Sequence, residues 1–381
     1  MDHEFETAIV GGGVVGAAIG YGLAKLGRRV IIIDGADDAL RASRTNFGLI
    51  WVQGKGDEYP AYHRITRQSA ELWPGFASEL KELTGVDVEY RRNGGLLFCA
   101  SEAQAEEEKA IGEKMAAIHP DYRFEMLERS RIERMLPDIR LGPKVCSASF
   151  SHMDGDVNPL LVLRAMLDGF VRLGGTLMTG EHVDSIAPTL GGFRLATDGL
   201  TIEAERVIIA AGNDSMAFAK SLDLPLLLVP EKGQLLITER VAPVFPYAAS
   251  GIRQTMTGTF QLGVTNERVG RSTDVTAAGA RHIANRAINV MPDVGALRVI
   301  RQWAGLRVLT PDGVPVYDRS RRYPGIHVVA CHSGVTLPLC MQVLLPNGWQ
   351  PVEGSHPTTL SACTSKTSAR SEAVSKRFTP A

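Results

Sequence analysis

Cysteine is scarce in this chain and follows no pattern. The 381 residues include five cysteines, and no two of them stand at the C-x-x-C spacing of a zinc or redox motif. An odd, scattered set argues against a disulfide framework and against a structural zinc site. We therefore predict no metal site and a protein of a reducing compartment.

An excess of charge of one sign is also missing, as are long apolar runs. The chain has 41 basic and 42 acidic residues and a net charge of −1, which argues against nucleic acid or an anionic membrane as a partner. No apolar run approaches the ~20 residues that span a bilayer. A strand pattern begins almost at the N-terminus and leaves no room for a signal peptide. We predict a cytoplasmic protein without a transmembrane segment, and peripheral attachment at the inner membrane stays open.

The N-terminal segment contains a nucleotide-binding pattern. A β-branched run at residues 7 to 10 leads into the turn Gly11-Gly12-Gly13-Val14-Val15-Gly16, and a second β-branched run ends at Asp34. A G-x-G-x-x-G turn between two strands, with an acidic residue about 20 positions further on, predicts a dinucleotide-binding βαβ unit.

Each glycine of this unit, and the acidic residue at its end, has its own physical role. Gly11 permits the tight turn, Gly13 lets the backbone approach a pyrophosphate, and Gly16 lets helix and strand pack closely. The helix that follows would aim its unpaired N–H groups at the phosphates. Asp34 would accept hydrogen bonds from the ribose hydroxyls.

Two helices are predicted outside this unit. Apolar residues at helical spacing indicate a helix over residues 60 to 84, and Pro74 would kink or break it. A second helix begins at Pro159, with Asp156 or Asn158 as the side chain that caps its first turn.

Later β-branched runs extend the nucleotide-like sheet and add a different one. Residues 206 to 213 and 326 to 331 predict strands of the first kind, whereas residues 233 to 264 indicate antiparallel strands. The predicted fold is α/β, with a Rossmann-like βαβ domain interleaved with an antiparallel-sheet substrate domain. The predicted FAD-binding segments are 1–85, 151–225 and 301–345, the substrate-domain segments are 86–150 and 226–300, and residues 346–381 form an atypical, disordered tail.

With these landmarks in order, the chain resembles the FAD-dependent D-amino acid dehydrogenase and glycine oxidase family of flavoproteins, over residues 5 to about 337. Besides the N-terminal glycines, residues 42 to 48 resemble the loop that contacts the flavin pyrophosphate, and Val207 to Gly212 resemble the second strand-and-glycine segment. Residues 303 to 315 resemble the segment before the last flavin-binding strand, and His332-Ser333-Gly334 resembles the turn beside the isoalloxazine ring.

The resemblance implies FAD as the cofactor and a set of residues around it. Val183 would present its backbone to the adenine, and backbone N–H groups of residues 334 to 336 would face the flavin C2 carbonyl. The complete implied set is Gly11, Gly13, Val14, Val15, Gly16, Asp34, Ser43, Arg44, Asn46, Phe47, Gly48, Val183, Ala211, Gly212, Gly334, Val335 and Thr336.

The resemblance also implies the reaction. A D-amino acid, or an N-substituted amino acid such as sarcosine, D-proline or an opine-like amine, would lose hydride from its α-carbon to flavin N5, and the imine would hydrolyse to a 2-oxo acid. The protein must then orient the α-carbon, bind the carboxylate and exclude water. O₂, a quinone or a partner subunit would take the electrons, and homo- and hetero-oligomers both stay open.

A planar guanidinium is the natural carboxylate clamp, because it offers two parallel donors and stays charged when desolvated. Arg307 stands where family members place a substrate arginine, although it could instead tie down a neighbouring loop. Arg253 is the competing clamp. Tyr247 could close the pocket or be a core residue, and His332 could assist or be structural.

The pattern departs from the family at two places. Family members continue after the last glycine turn with an apolar helix, whereas Pro346, Gly348 and Pro351 interrupt this chain, and a Ser/Thr-rich stretch follows. Our hypothesis is that a frameshift or a recombined end replaced the native C-terminus, which questions FAD retention. Asp34 stands where the family more often has Glu.

Two alternatives from other classes stay open at this point. One is an NAD(P)-linked dehydrogenase, since the N-terminal unit serves either dinucleotide, although the late strand at residues 326 to 330 disfavours it. The other is a non-catalytic flavin-fold subunit of a hetero-oligomer.

Overall fold

A computed structural model describes residues 4–35 and 41–344, the side chains of 343 and 344 excepted. The strands are β1 (Phe5–Val10), β2 (Val30–Asp34), β3 (Leu49–Ile50), β4 (Gly95–Cys99), β5 (Glu125–Glu128), β6 (Ser147–Ser151), β7 (Gly155–Asp156), β8 (Thr176–Thr179), β9 (Ser185–Thr189), β10 (Gly192–Ala196), β11 (Thr201–Ile209), β12 (Glu231–Arg240), β13 (Ala248–Ala249), β14 (Ile252–Gln254), β15 (Thr259–Gly263), β16 (Val299–Arg307), β17 (Val316–Arg319) and β18 (Ile326–Ala330). The α-helices are α1 (Val14–Lys25), α2 (Pro60–Thr84), α3 (Glu102–Ile118), α4 (Arg129–Met135), α5 (Pro159–Arg172), α6 (Met216–Ala219), α7 (Ala277–Val290) and α8 (Pro338–Leu344).

The first sheet contains the predicted crossover unit. Its strand order is β17-β18-β11-β1-β2-β8, and every pair from β18 to β8 is parallel. Strands β1 and β2 pair from Thr7 with Val30 to Val10 with Ile33, and α1 connects them. Because helices cover a parallel sheet, its strands are apolar on both faces, and β2 is buried from Val30 to Ile33. The late strand β18 returns to this sheet beside β11, as the sequence predicts.

The second sheet is built from two insertions between the segments of the first. Its order is β16-β12-β15-β14-β13-β4-β6-β5, and all pairs are antiparallel except β13 with β4. The predicted fold class, a Rossmann-like domain interleaved with an antiparallel sheet, is confirmed. The domain boundaries stay a prediction. Strand β16 pairs with β12 as far as Arg307, which argues for a boundary after Arg307 instead of at residue 300.

Two helices show how local signals and tertiary packing combine. Asn158 caps α5, because its side chain accepts hydrogen bonds from two backbone N–H groups of the first turn, whereas Asp156 binds arginines instead. Helix α2 continues through Pro74 without the predicted break. Trp73 and Leu80 are fully buried on either side of this proline, and their packing holds both halves of the helix in place.

Helix α8 ends the described chain and packs on α1. A Cβ added to Gly22 of α1 would lie 2.8 Å from Cβ of Gln342, so only a glycine admits α8 this closely. Pro338 occupies the first turn of α8, where its missing N–H costs little. The predicted tail at 346–381, and the frameshift hypothesis attached to it, lie outside the described residues. Within the described ranges, no helix has the length and apolarity needed to cross a bilayer.

Candidate functional site

The glycines of the crossover turn stand where a side chain would not fit. Gly11 has φ of +107°, and a Cβ there would lie 2.6 Å from the Ala210 carbonyl oxygen and 3.0 Å from Cα of Ala211. A Cβ on Gly16 would collide with the carbonyl oxygen of Gly11. Ala211, just after the end of β11, therefore lies directly beside the turn out of β1, whereas a Cβ on Gly212 would face Val308.

A cradle for phosphate forms between this turn and the loop at residues 43 to 48. The Val14 N–H donates to Ser43 Oγ at 3.0 Å, and a Cβ on Gly13 would lie 2.9 Å from the same oxygen. Val15 and Gly16 are in the first turn of α1, where N–H groups have no partner within the helix. Free N–H groups, the positive helix end and a hydroxyl together suit a pyrophosphate.

The rest of that loop is held by its own contacts. Asn46 Oδ1 accepts from the Gly48 N–H at 2.7 Å, and the Phe47 ring would lie 3.2 Å from a Cβ on Gly263 of β15. Arg44 is exposed. The loop thus bridges the two sheets and leaves the Arg44 side chain at the surface.

Asp34 and Val183, the residues predicted to contact the ribose and the adenine, lie near each other at the end of β2. Asp34 Oδ1 accepts from Arg41 Nη1 at 2.8 Å, and its side chain is 16% exposed. The Glu181 N–H donates to the Asp34 carbonyl oxygen, which brings the Val183 segment beside β2. Among the described residues, the Val183 N–H and C=O have no hydrogen-bond partner. An adenine edge would find both groups open.

The late turn meets the crossover unit, as the sequence predicts. A Cβ on Gly334 would lie 3.4 Å from Val15 Cγ2, so the turn covers the start of α1. In the described part of the chain the Gly334 and Val335 N–H groups have no partner. The prediction for the Thr336 N–H needs correction, because this group donates to the Ser333 carbonyl oxygen at 2.9 Å to close the turn.

Arg307 lies at the end of β16, where the Asn213 side chain donates to its carbonyl oxygen at 3.4 Å. Its Nη1 donates to Glu231 Oε1 at 2.8 Å and its Nη2 to the Thr265 carbonyl oxygen at 3.0 Å. The guanidinium lies against Gly233, where a Cβ would be 2.6 Å from Nη2. Burial lowers the pKa of Arg307, and Glu231 opposes that shift. The fork is therefore oriented by its neighbours and retains N–H groups for a ligand.

Arg253 and Tyr247 are placed in structural settings. Arg253 is 2% exposed, and it donates to Asp156, to the Phe47 carbonyl oxygen and to Gln261, each at 2.9 Å. These bonds tie the 43–48 loop to the second sheet, which favours Arg307 as the clamp. Tyr247 is partly buried and packs edge to face on Phe150 of the second sheet's core, with ring centroids 5.9 Å apart.

The sequence did not single out Lys55, which contacts the late turn, or Asp154, which accepts hydrogen bonds from Val52 and Gln53 just before Lys55. Lys55 Nζ donates to Thr336 Oγ1 at 3.3 Å, and burial lowers the pKa of Lys55 to about 8. Asp154 is fully buried, which raises the pKa of its carboxyl to about 7. The Gly54-Lys55-Gly56 loop after a buried strand was the available sequence signal for Lys55.

The His332 imidazole is a neutral group between charged neighbours. Its side chain remains accessible to solvent, but the surrounding protein desolvates it. This desolvation, together with the charges on Arg307 and Lys55, lowers the pKa of His332 to about 3. The imidazole is therefore neutral at physiological pH and can offer a ring nitrogen to a ligand.

No cluster of three or more metal-ligating side chains occurs within residues 4–35 and 41–344. The glycine turn, the Ser43 hydroxyl with its neighbouring amides, and Asp34 fit a bound dinucleotide. This arrangement defines a dinucleotide-binding protein with a Rossmann-like domain.

The chain belongs to the DAO family of FAD-dependent oxidoreductases, whose family pattern matches residues 6–340. It is an oxidoreductase and its cofactor is FAD, so the NAD(P)-linked alternative is wrong. An opine oxidase subunit from Agrobacterium tumefaciens (strain Ach5) is 39% identical to it over 88% of this chain and 90% of that protein.

Solved structures agree with this assignment. Glycine oxidase from Geobacillus kaustophilus has a TM-score of 0.82 and 27% identity, over 90% of this chain and 94% of that one. L-proline dehydrogenase from P. horikoshii has a TM-score of 0.84 over 95% of this chain and 99% of that one; at 19% identity it shows the fold alone.

Proposed function

We propose that this FAD-dependent enzyme oxidises the C–N bond of an N-substituted amino acid, with Arg307 as the clamp for the substrate carboxylate. The coarser assignment is an oxidoreductase acting on amino acids or opines. The observation that carries the finer proposal is the contact of Asn213 with Arg307: the Asn213 side chain, just after β11, donates to the Arg307 carbonyl oxygen at 3.4 Å. This contact brings the end of β16, with its largely buried guanidinium, to the end of a strand of the nucleotide-binding sheet. The relative named as part of an opine oxidase supports a secondary amine over a simple D-amino acid.

The residues of the chain bind the substrate, orient it and exclude water from it. Arg307 would bind the carboxylate with two parallel donors, and its bonds to Glu231 and Thr265 hold the fork in one orientation. Neutral His332 can accept a hydrogen bond from the substrate nitrogen without adding a competing positive charge. When bound, FAD supplies the acceptor for hydride from the substrate α-carbon. The imine product then hydrolyses to a 2-oxo acid.

A panel of amines under anaerobic conditions tests this proposal. Sarcosine, D-proline, D-alanine and iminodiacetate would be mixed with the purified holoenzyme while the visible flavin absorbance is followed. We expect the N-substituted compounds to bleach the flavin faster than D-alanine. Faster bleaching by D-alanine would move the assignment to D-amino acids, and bleaching by none would favour the non-catalytic role.

The electron acceptor and the partner subunit are the subject of a separate proposal. The relative is named as one subunit of an opine oxidase, so we propose a hetero-oligomer in which a partner chain or a quinone takes the electrons. Stoichiometric peroxide from the isolated chain in air would instead assign O₂ as the acceptor.

A further inference from the structure

One face of helix α2 contacts the late turn, residues 332–336, and the start of α8. Tyr62 and Trp73 lie about three turns apart in α2, so their side chains leave the helix on the same side, and both are buried. Between them, the Ile65 carbonyl oxygen accepts a hydrogen bond from Cys340 Sγ at 2.9 Å. This face of α2 is therefore committed to a segment of the chain that follows β18.

Two side chains of this face hold the two ends of the late turn. The Tyr62 hydroxyl lies 2.9 Å from Ser333 Oγ, and either oxygen can donate the hydrogen bond. Trp73 Nε1 donates to the Thr336 carbonyl oxygen at 3.3 Å. Ser333 and Thr336 are 5% and 1% exposed, so a polar group that loses its partner there has little water to replace it. Both ends of the turn are thus fixed to one helix.

Between these fixed ends lie two N–H groups that offer hydrogen bonds to a ligand. Gly334 and Val335 are buried, and their N–H groups have no acceptor in the part of the chain that the structure describes. Buried backbone N–H groups without an acceptor are rare in folded proteins. A Cβ on Gly334 would lie 3.4 Å from Val15 Cγ2, at the start of α1. The free donors therefore adjoin the nucleotide cradle and fit an acceptor on FAD.

From this geometry we infer that Tyr62 is a positioning residue for the flavin. Its hydroxyl holds Ser333 and thereby directs the two free N–H groups of the turn at the flavin ring, where they stabilise the negative charge of the reduced state. Donors that are fixed before the charge appears cost no reorganisation when it does. The inference rests on FAD as the cofactor and on the predicted contact between the turn and the flavin. It needs no substrate, so it stands or fails independently of the proposed reaction.

The midpoint potential of the bound flavin, measured anaerobically against redox dyes in the purified holoenzyme, tests this role. Tyr62→Phe removes the hydroxyl and keeps the ring. We expect the equilibrium constant for two-electron reduction of the flavin to fall about tenfold, which lowers the midpoint potential by about 30 mV. Ser333→Ala removes the other half of the same hydrogen bond and should shift the potential equally. The double variant should shift it no further than either single variant, because both changes break one bond.

Tyr21→Phe is the matched control. Tyr21 is also buried, but its hydroxyl bonds Glu79 Oε1 at 2.6 Å instead of the late turn. This variant should lower the melting temperature and leave the potential unchanged, which separates a loss of stability from a change at the flavin. Flavin content and melting temperature are measured for every variant.

Three results would overturn the inference. They are an unchanged potential in flavin-loaded Tyr62→Phe, an equal shift in Tyr21→Phe, and additive shifts in the double variant. If Tyr62→Phe does not fold or does not retain flavin, Ser333→Ala decides alone against the Tyr21→Phe control. An unchanged potential in Ser333→Ala then leaves Tyr62 with a structural role only.

Discussion

The first sheet, which contains the glycine turn, and the second sheet, which contains Arg307, form their candidate sites from different kinds of residue. In the first sheet, the residues that shape the cradle are consecutive or nearly so, from Gly11 to Gly16, and their demands are on the backbone. In the second sheet, Arg307 depends on Glu231 from the neighbouring strand and on Thr265. A site made of backbone shape tolerates few substitutions, whereas a site made of scattered side chains can change its ligand by single substitutions.

Gly16→Ala is expected to have the largest effect, and it tests whether the glycine turn shapes the flavin site. A methyl group at this position collides with the Gly11 carbonyl oxygen, so the turn must move and the cradle opens. We expect purified protein with little or no bound flavin and a lower melting temperature. The ratio of flavin to protein absorbance measures this. Gly75→Ala is the control, because nothing lies within 4 Å of a Cβ there, and it should stabilise α2 by about 0.5–1 kcal/mol. Normal flavin content in Gly16→Ala would show that the turn can relax.

Arg307→Met tests the candidate substrate site on the second sheet. Removing one member of a buried charged pair costs about 3 kcal/mol, so substrate affinity should fall more than a hundredfold, while flavin content stays normal. Steady-state kinetics and flavin absorbance report the two effects separately. Arg307→Lys should be intermediate, because it keeps the charge and loses the fork. Arg301→Met, on the exposed part of the same strand, is the control. An unchanged affinity in Arg307→Met would transfer the clamp to Arg253.

The pH dependence of ligand binding at Lys55 is expected to be a smaller effect than the loss of the Arg307 guanidinium. The pKa of Lys55, lowered to about 8 by burial, means that Lys55 is charged below that pH and loses its proton above it. The facing groups are Asp154, with a pKa near 7, Cys331, whose thiol pKa is raised to about 12, and neutral His332. The affinity of an anionic ligand that contacts Lys55 should therefore fall as pH rises through about 8, at most about tenfold per pH unit. Calorimetry from pH 6 to roughly pH 9 measures it, and Lys55→Met should abolish the dependence.

Tyr247→Phe should have the smallest effect. The ring packs on Phe150 in the core of the second sheet, and the substitution preserves that contact. We expect kcat/KM to change less than about twofold, as for most substitutions that leave packing intact. A tenfold fall would instead give the hydroxyl the pocket-closing role that the sequence left open.

The predictions from sequence succeeded where the physical requirement is local. The crossover unit at residues 7 to 34, the start of α5 at Pro159 and the return of β18 all follow from patterns within single short segments of the chain. Arg307 and Arg253 were alternatives that no local pattern could separate. Their environments separate them, because Arg253 is bonded to Asp156, Phe47 and Gln261 inside the protein.

The amino-acid sequence by itself determined a Rossmann-like dinucleotide-binding unit, because glycine spacing and β-branched runs specify backbone geometry directly, and the resemblance to a flavoprotein family implied FAD. Only the tertiary structure decided which polar groups meet. Lys55 reaches Thr336 across 281 residues, and Asp154 reaches Val52 across 102. Such contacts form when segments that are distant in the chain pack against each other. Their energy comes from desolvation and hydrogen bonding where the two segments meet. The residues adjacent in sequence to either partner do not determine these contributions.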